Sequence, residues 1–416
     1  MLNRINIFLK GELFKNSSIY FITTFISKIL PFILLPFMTK YLNPHEYGVF
    51  ATYYMYISFS LLIFGCELNR YLEVYYFKVS KKEFERYLST VFSFVCIFSI
   101  LGFILYSIIF LFIDSVDIGY YWFIIIPLLC ILKFIVGIND VLLRNEEKAI
   151  LYAKYIIFEI LIYTLVSIVL AWLYYSWTSK AYGFVVSIVV LAVFSLIRLR
   201  KYYNLSFVFD KYILKKAFIY SLPCMFGLNL ANILVANSDK IILLHFYDHS
   251  VVGILAIALV FASIVGFVTD SLMKAWIPIF YTKLQKKDKN VDKNCLYIFV
   301  FLSIVSVFTI FILMYIMRYM IDEKYYDAID IMPYIAISYI FRIYSQILSN
   351  YINFYSITKA FYYDILIAFF INLIVAYLLV DYFGIIGMAI SINLFFIFKS
   401  IVYKVVLFNF NKRKLN

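Results

Sequence analysis

The chain has 416 residues, of which 65 % are hydrophobic, 21 % aromatic and only 15 % charged, with a net charge of +13. A soluble domain is about half apolar and a quarter charged, so a mean hydropathy of +0.92 excludes a water-soluble globular fold. Apolar runs of about 20 residues recur along nearly the whole chain without period-2 alternation, which predicts membrane-spanning helices rather than a barrel.

The opening MLNRINIFLKGELFKN is amphipathic and basic, with no short apolar region leading to a small-residue cleavage site, so the first span is expected to be retained. Twelve spans are predicted. The first, 17 to 41, carries Ser27 and Lys28 in the stretch FISKILPF. The second, 48 to 68, and third, 87 to 113, hold no lysine or arginine. The fourth, 120 to 143, contains Lys133, and the fifth, 152 to 176, contains Glu159. The sixth, 181 to 198, closes the first half. A basic, aromatic linker follows at 201 to 216, which fits an interfacial helix and a plain topogenic loop equally well.

The seventh span, 217 to 246, has Asn229, Asn232, Ala236 and Asp239 at helical spacing, followed by Lys240. The eighth, 251 to 274, holds Asp270 and Lys274 four residues apart, the spacing of a local ion pair. The ninth runs from 295 to 317, the tenth, with Arg342, from 329 to 354, the eleventh from 361 to 380, and the twelfth, with Lys399, from 384 to 408. Segments on one side of this map hold 27 lysines and arginines, those on the other side four, and six lie inside spans. That asymmetry predicts cytoplasmic termini. It also makes the positive charge a topology signal, not a nucleic-acid footprint.

Three local matches link the halves. KYLNPHEYGVFA from Lys40 matches HFYDHSVVGILA from His245 and aligns Gly48 with Gly253; Lys148-Ala149 matches Lys359-Ala360; Gly183 matches Gly384. The expected fold is therefore an all-α polytopic membrane protein of about twelve helices. A parallel internal repeat would relate a first lobe, 1 to 200, to a second, 217 to 416, around a central cationic cavity.

Charges at bilayer depth are costly and face a protein interior or a wet cavity. At about 1.5 Å per residue, Lys28, Lys133 and Arg342 fall roughly 15 to 20 Å into their spans, near the midplane. They are the expected binding residues for a phosphate or carboxylate. The opposing expectation is that each is neutralised by a buried acid such as Glu159. Glu159, Asp239, Lys240 and Asp270 are candidates for ion coupling or charge pairing, and Ser27, Asn229 and Asn232 for lining the cavity. The five cysteines form no CxxC and predict neither a disulfide nor a metal site. The sequence offers no phosphate-binding loop, no HExxH and no large soluble insertion, so an enzyme is not expected.

KYLNPHEYGVFA closely resembles the segment after the first helix of polysaccharide flippases. SLPCMFGLNLANILVANSDKIILLHFYDHSVVGILAIALVFA resembles their seventh-helix region, and WIPIFYTKL, with Pro278, the close of their eighth helix. The resemblance is to the O-antigen and capsule repeat-unit flippases of the multidrug/oligosaccharidyl-lipid/polysaccharide exporter superfamily. It implies a bacterial inner-membrane protein with two lobes that moves an undecaprenyl-pyrophosphate-linked oligosaccharide outward by alternating access. It further implies no cofactor beyond a proton or sodium gradient, and partners among membrane lipids, a polysaccharide polymerase and a chain-length regulator. Two other readings are weighed: a cation-coupled drug exporter of the same superfamily, which would favour an acidic, aromatic cavity, and a membrane-embedded glycosyltransferase or polymerase, which would want a large outside loop.

Overall fold

The computed structural model describes residues 12–110, 118–355 and 370–415, together with Ile357, Tyr363, Leu366 and Ile367. Among the described residues there are fourteen α-helices and no strand. Ten helical segments among these residues are long and apolar enough to cross a membrane. Six residues in the first half of the expected eleventh span lie outside the described residues, as do Lys359 and the side chain of Asn232; from Phe370 on, that span is a π-turn over Phe370–Val375 and the start of the last helix.

The chain divides into two compact units. The first runs to Leu42 and from Thr52 to Asn229; the second comprises Asn43–Ala51 and everything from Leu230. Unit one contains α1 (Glu12–Tyr41), most of α2 (Pro44–Gly65), α3 (Leu68–Tyr75), α4 (Lys81–Phe110), α5 (Tyr120–Ile124), α6 (Ile126–Asn145), α7 (Ala149–Tyr174), α8 (Thr178–Tyr202) and α9 (Lys211–Cys224). Within it α1 packs on α7, α7 on α8, and α6 on α3, α4 and α8. Unit two contains the start of α2, then α10 (Leu230–Phe246), α11 (His249–Gln285), α12 (Val291–Met320), α13 (Asp327–Phe354) and α14 (Ala376–Leu415). Here α13 packs against α11, α12 and α14.

Both sides of each long helix are apolar, so burial rather than polarity separates the protein-facing side from the lipid-facing one. On α4, Leu88, Val91 and Val95 are fully buried, while Ile100, Leu101, Ile104 and Leu105 are each more than half exposed. In water the second group would be a large aggregation-prone patch; in a bilayer it costs nothing.

Three interruptions shape the site-bearing helices. Between α2 and α3 two non-glycine residues, Cys66 (φ 44°) and Glu67 (φ 55°), take left-handed conformations, each costing on the order of 1–3 kcal/mol. Pro223 lies inside α9 and is followed by a π-turn over Met225–Asn229. Proline supplies no N–H to the helical ladder, so the backbone widens there. The unit boundary between 229 and 230 coincides with this turn, placing the first half of the seventh span with unit one and not at the expected 200/217 division. Gly384 (φ 60°, ψ −144°) kinks α14 at the expected gap before the twelfth span.

The linker is not an interfacial helix. α8 ends at Tyr202, residues 203 to 210 are non-helical, and α9 starts at Lys211. The segment is laid along α4: Ser206 N donates to Ser89 Oγ (3.2 Å) and Val208 N to Ser93 Oγ (3.1 Å). Asn204 Nδ2 donates to Glu85 (3.2 Å), and Arg86 pairs with Asp210 at 2.7 Å. Two α4 serines one turn apart thus take backbone N–H groups that a helix would have satisfied itself. Asp210 then caps α9 by accepting from Tyr212 N and Ile213 N.

Candidate functional site

In unit one, α6 places Lys133, Gly137, Asp140 and Arg144 on one face, at spacings of four, three and four. Lys133 Nζ donates to Glu159 Oε1 of α7 at 2.6 Å, with the two side chains 27 % and 17 % exposed. Asp140 lies two turns further on, beside both these charges and Arg144, and its Oδ1 is buried without a hydrogen-bond partner. Arg144 reaches Glu73 of α3 at 3.3 Å. A Cβ at Gly137 would come within 2.6 Å of Asn69 Nδ2, so glycine is what admits the α3 side chain against α6.

Gly137, Asp140 and Arg144 line a cleft of about 460 Å³ together with Asn69, Arg70, Glu73 and, from α9, Tyr220. The left-handed turn at Cys66-Glu67 aims α3 into it. Arg70 donates to Glu67 at 3.0 Å and to Asn229 Oδ1 at 3.5 Å. Arg70 and Arg144 remain 43 % and 40 % exposed, so each keeps guanidinium N–H groups for a further acceptor. A planar fork of donors suits phosphate or carboxylate oxygens; the neighbouring carboxylates set a competing demand that an incoming anion would have to displace.

Lys28 is exposed on α1, and no ion pair joins it to any described residue. Thr24 and Ser27 beside it turn their hydroxyls onto their own helix, donating to Tyr20 O and Thr24 O at 2.8 Å. The carboxylate of Glu159 is occupied by Lys133, so it is not the counter-ion of Lys28.

In unit two, Arg342 of α13 donates to Asp270 of α11 at 2.8 Å, and Gln346 Nε2 donates to the other carboxylate oxygen at 2.7 Å. Asp270 is therefore bridged between helices, and the expected local pair with Lys274 is replaced by this one; Lys274 is exposed. Asp239 and Lys240 form a neighbouring pair at 3.2 Å, with Lys240 also donating to Ala236 O. Of the expected cationic trio, Lys28 and Lys133 belong to unit one and Arg342 to unit two. Among the described residues, two of the three are neutralised by a carboxylate and one is not.

Sequence reasoning missed Asn69, Arg70, Glu73, Asp140 and Arg144, because spans cut at 68 and 143 assign the arginines to loops. The signal was present: four residues at helical spacing from Lys133 to Arg144 leave one polar face on α6, and that face needs a partner. Just beyond it, Glu146 accepts from Tyr203 Oη at 2.7 Å and pairs with Lys148 at 2.8 Å and with Arg198, which also donates to Asn139 at 2.7 Å. Burial alone would raise the Glu146 pKa, but these donors and charges outweigh it and hold the carboxyl below its ordinary range.

The sequence pattern of the family described as "Polysaccharide biosynthesis protein" matches residues 13–284. A Haemophilus influenzae protein described as an uncharacterized membrane protein is 21 % identical over 362 residues, covering 84 % of this chain and 85 % of its own. Among solved structures, the lipid II flippase MurJ in an inward closed conformation aligns with a TM-score of 0.68 at 17 % identity, covering 94 % of this chain and 87 % of that one. An inward-facing multidrug resistance MATE family transporter of the MOP superfamily aligns at 0.64 and 14 % identity, covering 93 % and 94 %.

Proposed function

The chain belongs to the polysaccharide biosynthesis protein family, a multi-pass membrane protein with the fold shared by MOP-superfamily flippases and transporters, and on that premise we propose that it flips a lipid-linked oligosaccharide. The substrate is an undecaprenyl-pyrophosphate-linked repeat unit for O-antigen or capsule, carried from the cytoplasmic to the outer leaflet of a bacterial inner membrane by alternating access. No covalent chemistry is assigned to the protein. The observation that carries this reading is Lys28: a cation in a membrane span with no carboxylate among the described residues is stable only if it meets water or an anionic ligand. The pyrophosphate is that ligand.

The paired charges have a different part in the proposal. Lys133–Glu159 and Arg342–Asp270 place one cation and one acid side by side in each unit. A proton or sodium ion taken by either acid releases its cation, which links an ion gradient to anion affinity. Exporting a cationic drug, the alternative suggested by the multidrug transporter likeness, would draw on Asp140, whose Oδ1 has no hydrogen-bond partner but which lies beside Lys133 and Arg144, whereas Lys28 has no carboxylate among the described residues.

Replacing Lys28 with Ala should abolish surface polysaccharide at unchanged protein level, with lipid-linked single repeat units accumulating on the cytoplasmic face; Lys28→Arg should retain export. Normal polymer in the alanine variant removes the lysine from the substrate path. Loss of polymer without accumulation of the lipid-linked unit removes flipping as the function.

A further inference from the structure

We propose that unit one carries a selective site for an anionic phospholipid on its lipid-facing side, between α7 and α8. A groove of about 450 Å³ is lined by Lys154, Tyr155, Phe158 and Leu161 of α7 and by Leu191 and Phe194 of α8. That volume is within the range of small-ligand sites. Its floor is Leu191, which is 1 % exposed, and its walls are Phe158 and Phe194, 44 % and 49 % exposed. The two rings pack edge to face at 6.0 Å. Tyr155 Oη donates to Phe194 O at 3.4 Å, tying one helix to the other across the groove. Lys154 is exposed at the mouth and makes no ion pair among the described residues.

Depth fits the assignment. Lys154 is five residues into α7, about 8 Å from its start, and Phe194 lies eight residues before the end of α8, about 12 Å in. The same helix ends carry Arg200 and Lys201 in the last turn of α8. The lysine therefore stands at headgroup level and the aromatic walls at the level of the first acyl carbons. An acyl chain gains nothing from the hydrophobic effect on moving from bilayer to groove, because lipid tails are as apolar as the leucines that line it. Selectivity must come from the one open charge at the mouth, which favours a lipid phosphate carrying net negative charge over a zwitterionic headgroup. No acid lines the groove to oppose it.

The test is native mass spectrometry of the purified full chain, titrated with phosphatidylglycerol or phosphatidylcholine of identical acyl chains. The wild type should bind phosphatidylglycerol about fivefold more tightly than phosphatidylcholine at this site. Lys154→Gln should bring the two lipids to parity for that increment, and Lys154→Arg should retain the preference. Leu161→Trp, which fills the groove, should remove the same phosphatidylglycerol increment as Lys154→Gln, and the double variant no more than either single. Equal binding of the two lipids by the wild type overturns the site, as does full additivity of the two substitutions. Binding of a polyprenyl phosphate with no response to phosphatidylglycerol overturns the identity of the occupant.

Discussion

At the scale of single residues, the membrane interior makes every charge legible and leaves its partner hidden. Lys28, Lys133 and Arg342 stand out because a lysine or arginine among twenty apolar residues has few innocuous explanations. The sequence does not show that two of them are neutralised, since Glu159 is 26 positions from Lys133 and Asp270 is 72 from Arg342. Pairing changes what a substitution does. Lys133→Ala strands Glu159, and breaking a largely buried pair by removing one partner costs about 3–5 kcal/mol. The double variant Lys133→Ala/Glu159→Gln should recover most of that loss in thermal unfolding of the detergent-purified protein. If the pair only holds α6 to α7, polysaccharide export should recover with it. Under the coupling role proposed above, export should stay lost in a double variant of near-normal stability. Full recovery of both readouts removes the pair from the transport cycle.

At the scale of elements, apolar length is a sufficient guide to spans, and fails where a helix is interrupted without losing apolarity. The break at Cys66-Glu67 is announced only by Gly65 before it, with the two left-handed positions themselves held by non-glycine residues, and it is what turns Asn69 and Arg70 toward α6. The strap at 203 to 210 falls inside the stretch 201 to 216 that reads as a basic linker; that it is extended follows from Ser89 and Ser93, more than a hundred positions away. KYLNPHEYGVFA and HFYDHSVVGILA, which match in sequence as expected repeat mates, meet in space. A Cβ on Gly48 would come within 1.8 Å of His249 O, and one on Gly253 within 2.0 Å of Pro44 O. The first turns of α2 and α11, both in unit two, pass backbone to backbone there, and no residue larger than glycine fits either position. Gly48→Ala and Gly253→Ala should each lower stability by about 1–3 kcal/mol, the usual cost of forcing a methyl group into a packed contact. Because both act on one contact, the double variant should fall short of the sum. Melting of the two single variants at the wild-type temperature would mean that the helix starts can separate without cost.

At the scale of the whole molecule, orientation follows from where long helices overrun the bilayer. α11 has 37 residues, about 55 Å of helix, against a hydrocarbon core of about 30 Å. Its surplus lies at the end carrying Lys283, and the turn that follows holds Lys286, Lys287 and Lys289. α4, of 30 residues, begins with Lys81 and Lys82, whereas Arg86, little more than one turn later, is compensated by Asp210. The turn between α12 and α13 is short and carries two acids, Asp322 and Glu323, against one cation, Lys324, which lies 4.0 Å from Asp322. Overhangs that keep uncompensated cations belong on the side from which insertion starts, because positive loops resist translocation whereas mixed-charge turns cross readily. A phosphatase that folds only outside the cytoplasm, fused after Lys289, should therefore be inactive, and the same reporter fused after Tyr326 should be active. Replacing Lys286, Lys287 and Lys289 with Gln should raise activity at the first site if the basic turn fixes the orientation of its neighbouring spans. Activity after Lys289 in the unaltered chain would invert the map and send the proposed transport in the opposite direction.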